Sequence, residues 1–191
     1  RDSVEMFRRA FERRLNATPS LTPSSATWAT IAAEVLGPDV PIGLQTVAAD
    51  DLLGDGTPSW VLNLRANDNN VALLALAGTP GAYRVVALRS NWFPDFLDDY
   101  HVSVRDLNAN GRPEVLIEDN YRGTGFTSAC DKVLTDLEWR EGGFSNLTPD
   151  VATSAQTDYG DCLPIEILPA DDGPATIVTG YTFYASCRIE D

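Results

Sequence analysis

Apolar residues recur at helical spacing only near the start of the chain. Val4, Phe7, Phe11 and Leu15 fall on one side of a helical period, and Ser3 is suited to cap it, which predicts an amphipathic helix over residues 3–16. A T-P-S-L-T-P-S linker at 18–24 follows, where each proline pushes its predecessor away from helix. Trp28, Ile31, Ala32, Val35 and Leu36 then share a face, predicting a second helix over 25–36 that ends at Gly37-Pro38. Apolar stripes of this kind face a core, so both helices are expected to dock on the body of the protein.

From residue 40 the pattern changes to short alternating or apolar runs separated by Gly, Asn, Asp and Pro, the signature of strands and turns. The first set of expected strands is 42–48, 60–64, 71–77 and 83–89. The second is 100–105, 114–118, 132–139 and 143–147, and a weaker third is 163–168, 175–179 and 181–186. Connections this short join antiparallel neighbours. The expected organisation is an N-terminal helical arm with its linker over 1–39, then a β domain over 40–191 with units at about 42–90, 100–148 and 163–187.

The units repeat. Segment 51–62, D-L-L-G-D-G-T-P-S-W-V-L, matches segment 106–117, D-L-N-A-N-G-R-P-E-V-L-I, at Asp, Leu, Gly and Pro, with Asp55 opposite Asn110. Upstream, Val47 matches Val102, and downstream Tyr83 matches Phe144. Gly56 and Gly111 lie 55 residues apart, and a stub of a third copy remains at 172–178. A period of this length holding about four strands is close to one propeller blade. The run V-x-V-x-D-L-N-x-N-G-x-P-E-V-L over 102–116 resembles the calcium-loop signature of FG-GAP and VCBS repeats, found in integrin-type β-propellers and many bacterial secreted proteins. Segment 47–62 carries it in part and the third copy barely; the Phe-Gly…Gly-Ala-Pro element of that family is absent. The resemblance implies a mainly β fold of antiparallel, propeller-blade-like repeats, two clear and one degenerate, behind two N-terminal α-helices. It also implies a non-catalytic role in adhesion or display.

In the 106–114 loop, Asp106, Asn108, Asn110 and Glu114 place side-chain oxygens at positions 1, 3, 5 and 9, and the Arg112 carbonyl adds a further ligand. A tight loop of this kind wraps a hard cation, and Gly111 permits the positive φ of its corner. Position 12 is Ile117 and the flanks read as strands, so this is not an EF-hand; one Ca²⁺ of modest affinity is the expected cofactor. The alternative is a metal-free hairpin in which Asp and Asn bond their own backbone. The first loop keeps Asp51 and Asp55 as a weaker second metal loop but has Leu53 and Ser59 at positions 3 and 9, so a structural turn is the favoured reading there. No metal is expected at the third loop, where Leu168 and Ala170 hold the first and third ligand positions.

Charge narrows the class. The 191 residues carry 14 basic and 28 acidic groups, a net charge of −14, which disfavours nucleic-acid binding and adsorption to anionic membranes. No apolar run approaches the ~20 residues of a transmembrane helix. An acidic surface with calcium loops points to a secreted or cell-surface setting. Because the chain starts at arginine, a leader is expected to have been removed. Cys130, Cys162 and Cys187 lack C-x-x-C spacing; one disulfide with one free thiol, or three buried thiols, are both open.

Catalytic signals are sparse. His101 is the only histidine, so no zinc site or triad can draw on two. Glu114, Glu118 and Asp119 allow a carboxylate-based hydrolase as an alternative, Glu114 and Glu118 sharing a strand face. A second alternative is a structural appendage of a membrane-anchored protein, with the arginine-bearing helix near the anchor. Trp92, Phe93, Phe96 and Tyr100, in a loop-like stretch between the first two units, are a candidate binding surface for a protein or carbohydrate partner; the alternative is a hydrophobic plug over a sheet edge or the N-terminal helices.

Overall fold

A computed structural model describes residues 2–20, 22–37, 39–66, 69–88, 97–122, 130–147, 165–168 and 173–179. Both expected helices form. Helix α1 (Asp2–Asn16) buries Val4, Phe7, Phe11 and Leu15. Helix α2 (Ser25–Leu36) starts at Ser24, whose hydroxyl accepts the Thr27 N–H at 3.2 Å, satisfying one of the unpaired donors of the first turn. It ends where the Gly37 N–H bonds Ala33 O at 2.8 Å with φ +124°.

The rest is mainly β. Strands β1 (Ile42–Asp50), β2 (Pro58–Ala66), β3 (Asn69–Ala77) and β4 (Arg84–Ala87) form one antiparallel sheet in sequence order. Strands β5 (Leu97–Arg105), β6 (Glu114–Arg122), β7 (Cys130–Arg140) and β8 (Gly143–Asn146) form a second sheet of the same order. A hairpin of β9 (Ile165–Leu168) and β10 (Thr176–Thr179) follows. The expected strand over 181–186 lies outside the described residues. Among the described residues the sheets close into neither a barrel nor a propeller.

These elements stack in series. The face of the first sheet carrying Leu62, Leu64, Leu74 and Leu76 packs on Phe7 and Phe11 of α1 and on Trp28 and Ile31 of α2. Its other face, with Val61, Leu73 and Ala75, meets Val102, Val115, Ile117 and Leu137 of the second sheet. The far face of the second sheet presents Leu116 and Leu134, and with Leu107 they receive Ala175 beside β10. The Ala175 N–H bonds Leu107 O at 2.6 Å. Inner strands buried on both faces read as near-continuous apolar runs, as residues 71–77 do.

Two expectations change. The segment read as loop-like up to Tyr100 becomes strand from Leu97, because Leu97–Arg105 finds a full-length partner in Glu114–Arg122. Pairing extends β6 in the same way, through Asp119 and Asn120, which carry no strand signal of their own. The match of Val47 with Val102 is one of sequence, not of place. Both pack in the same core between the two sheets, from opposite sides. The cause is register: Asp50 opposes Pro58, whereas Arg105, its counterpart at the 55-residue spacing, opposes Glu114, one residue further on. One residue of slip turns a strand over. Beyond the slip the spacing holds again, with Leu52 and Val61 facing the second sheet and Leu107 and Leu116 facing the β9–β10 side.

Candidate functional site

The two expected loops join β1 to β2 and β5 to β6, and they close with corresponding hydrogen bonds. In the first, Asp51 Oδ1 accepts the Gly56 N–H at 2.8 Å, Asp55 Oδ1 accepts the Thr57 N–H at 3.0 Å, and Ser59 Oγ accepts the Leu52 N–H at 3.1 Å. In the second, Asp106 Oδ2 accepts the Gly111 N–H at 2.8 Å, Asn110 Oδ1 accepts the Arg112 N–H at 2.8 Å, and Glu114 Oε2 accepts the Leu107 N–H at 2.5 Å. Gly56 and Gly111 turn these corners at φ +76° and +80°, a region that disfavours any residue with a Cβ. Asp106 Oδ1 and Asn108 Oδ1 both accept the Asn110 N–H, at 3.1 and 3.0 Å. All four side chains expected as ligands are thus drawn together by the loop, while Arg112 is exposed at its rim. Asp51 and Asp55 also serve as turn formers, with exposed side chains.

The residue that differs most is the last. Ser59 is neutral; Glu114 is a carboxylate with no exposed surface. Opposite Ser59 stands Ala77, whereas opposite Glu114 stands Glu138, itself 1% exposed, and the buried Asp136 lies two residues along the same strand. Asn108 Nδ2 donates to Glu114 Oε1 and, at 2.8 Å, to Glu138 Oε2. Asn110 Nδ2 also donates to Glu138 Oε2, at 2.8 Å, and the half-exposed Arg140 pairs with Glu138 at 2.7 Å.

Proton affinities follow from this crowding. Burial pushes Glu114 up to about 7, helped by the charges of Asp136, Asp106 and Glu138 and opposed by the Leu107 N–H. Burial, with Glu138 nearby, lifts Asp136 to about 6. Hydrogen bonds from Arg140, then from Asn108 and Asn110, hold Glu138 at about 2. The sequence reading missed Glu138, Asp136 and Arg140. The available signal was the pair of acids at even spacing in T-D-L-E-W-R, which predicts a shared strand face. What lay beyond reach was the register that brings that face against Glu114.

Other expected groups are placed as follows. Glu118 is half-buried on the Glu114 face of β6, two pleats along, and His101 is exposed opposite it. Asp119 and Tyr100 pair across β5 and β6, their side chains outside the description, as is that of Cys130 in β7. Trp92, Phe93, Phe96, Cys162 and Cys187 lie outside the described residues. A cleft of about 490 Å³ opens between the two loops, bordered by Asp50, Asp51, Arg112, Trp139 and Glu141. Trp139 packs edge-on to Phe144 at 5.1 Å, with the Arg84 guanidinium 4.8 Å from its ring centre.

Among the described residues, no three His, Cys, Asp or Glu side chains are grouped so as to hold a metal ion, and no helix is long and apolar enough to cross a membrane. The expected calcium set has only two carboxylates, Asp106 and Glu114; its other donors are carboxamides and a carbonyl, the hard oxygen chemistry that calcium takes. No family model, curated protein or solved structure matches the chain.

Proposed function

We propose that this chain is a non-catalytic, extracytoplasmic module of degenerate FG-GAP/VCBS-type repeats, stabilised by one Ca²⁺ at the 106–114 loop and serving binding or scaffolding. The observation that carries the reading is the contrast between Ser59 and Glu114. A neutral hydroxyl closes the first loop on the Leu52 N–H, so closing such a loop requires no charge. The second loop does the same task with a buried carboxylate that faces two further buried carboxylates, an arrangement that repels itself unless protons or a cation intervene. Asp106, Asn108, Asn110, Glu114 and the Arg112 carbonyl would hold the ion, which would supply positive charge on the Glu114 side as Arg140 does beside Glu138. The Asn108 and Asn110 carboxamides now direct their N–H₂ groups at the carboxylates, so they would turn their oxygens inward to accept it. The cleft between the loops, with Trp139 at its border, is the surface where a protein or carbohydrate partner would dock.

Thermal melting in EDTA and in millimolar Ca²⁺ tests the metal. An ion that binds only the folded chain adds ~2.7 kcal/mol at 100 times its Kd, which raises the melting temperature by about 5–10 °C for a chain of this size. Glu114→Gln should abolish the response, and Ser59→Ala should keep it. Superimposable curves for the unaltered protein in EDTA and in calcium would sink the calcium assignment.

A further inference from the structure

β4 is the outer strand of the first sheet, and α1 closes its edge. An outer strand presents alternate N–H and C=O groups that invite another strand. Leu88 bonds inward, its N–H to Leu73 O at 2.9 Å, so by alternation Val85 and Tyr83 direct their backbone groups outward. Each of those four groups is met by an α1 side chain. Asn16 Oδ1 accepts the Tyr83 N–H at 2.6 Å and Asn16 Nδ2 donates to Tyr83 O at 2.8 Å. Glu12 Oε2 accepts the Val85 N–H at 2.8 Å, and Arg8 Nη1 donates to Val85 O at 2.7 Å. Asn16 uses its carboxamide as a peptide group would. Glu12 and Arg8 divide the same two roles between them, and the Arg8–Glu12 pair at 3.0 Å ties them together.

Arg8, Glu12 and Asn16 are spaced four apart, so they form one row along the helix, adjacent to the buried row of Phe7, Phe11 and Leu15. The apolar row docks the helix, and the polar row imitates a neighbouring strand. Arg8 is held in place by Glu5 as well, at 2.7 and 2.8 Å.

We propose that α1 is an edge guard: its Arg8–Glu12–Asn16 row occupies the strand-pairing groups at Tyr83 and Val85, so that this edge cannot add a strand from a second copy of the chain. A second copy is the occupant to which the geometry points. Backbone pairing is indifferent to side-chain identity, and every copy carries the same edge over the same apolar strands β2 and β3. The inference is independent of the calcium reading.

Glu12→Ala/Asn16→Ala removes three of the four contacts and leaves Phe7, Phe11 and Leu15 to dock the helix. Sedimentation should show its mass rising with concentration above that of the unaltered chain, and exchange of the Tyr83 and Val85 amides in its dilute form should accelerate at least ~10-fold. Adding Val85→Pro deletes the outward N–H, which an outer strand tolerates, and should return the mass to that of the unaltered chain. Glu12→Gln keeps an acceptor and should behave as the unaltered protein. The proposal is overturned if the folded double variant keeps the unaltered mass throughout, or if association survives Val85→Pro. Should the double variant not fold, exchange in the unaltered protein decides: slow Tyr83 and Val85 amides support the guard, and amides exchanging at open-edge rates refute it.

Discussion

The β1–β2 and β5–β6 loops turn the chain with corresponding hydrogen bonds, yet one closes on a buried neutral hydroxyl and the other on a buried carboxylate. Ser59 sits opposite Ala77 and bonds the Leu52 N–H; Glu114 sits opposite Glu138 and bonds the Leu107 N–H. Loop geometry therefore depends on the Asp, Gly and backbone groups both share, while the electrostatic character depends on what each β2- or β6-type strand presents beside its neighbour. Similar turns on this scaffold are compatible with a neutral plug in one place and a charge-dependent site in another.

The largest expected effect probes what the two loops bury. Leu52 is 2% exposed and packs between the two sheets; Leu107 is 8% exposed and belongs to the smaller cluster against Ala175. Leu52→Ala should cost ~2–5 kcal/mol and Leu107→Ala should fall at the low end of that range, measured by urea unfolding. Equal losses would mean that the β9–β10 side is as well packed as the space between the sheets.

Next comes pH, in EDTA. Glu114 releases its proton at the ordinary carboxylate value of 4.5 when unfolded and at about 7 when folded, so the folded state holds the extra proton between these values. Its contribution is complete below 4.5 and is lost as pH rises toward 7, a change of ~3 kcal/mol. Asp136, raised from 3.8 to about 6, acts in the same direction. Glu138, lowered from 4.5 to about 2, does the reverse: its stabilisation is present above 4.5 and is lost as pH falls toward 2. Stability without metal should peak in mildly acidic solution. Glu114→Gln should flatten the decline on the neutral side and Ser59→Ala should leave it unchanged; a wild-type slope in Glu114→Gln would show that Glu114 does not drive it.

Ser59→Ala strands the buried Leu52 N–H and should cost ~1–3 kcal/mol at every pH, seen as a parallel shift of the stability–pH curve. The smallest effect tests the equivalence of the corners. A Cβ at Gly56 or Gly111 meets no atom within 4 Å, so only the positive φ opposes it. Each Gly→Ala change should cost ~1 kcal/mol, read as a shift of about 2–4 °C in melting temperature. A much larger loss at one of them would show that the two turns are not held alike.

Much of the fold was legible in the order of residues. The Phe7–Phe11–Leu15 row, the Gly37 stop and the alternation of strands with Gly-Asp and Asn-Gly corners are local signals, and each names its element without knowledge of the rest. The candidate site was legible in its loop half, from Asp106 to Glu114, because turn chemistry is local too. Its strand half was not. Asp136 and Glu138 read as ordinary acids of a half-exposed strand until β7 pairs with β6. The exchange of faces between β1 and β5 was equally hidden, since Val47 and Val102 match as letters while a one-residue register change turns the second strand over.

By itself the sequence determined two amphipathic helices, two runs of four antiparallel strands and two glycine corners, because periodicity, capping and turn preference act over a few residues at a time. Tertiary structure alone decided that Glu114 would lose all contact with water beside Glu138, and that Arg8, Glu12 and Asn16 would meet the edge of β4. Those outcomes depend on register and layer order. The forces behind them, burial and the repulsion of like charges, act between residues that only the folded chain brings together.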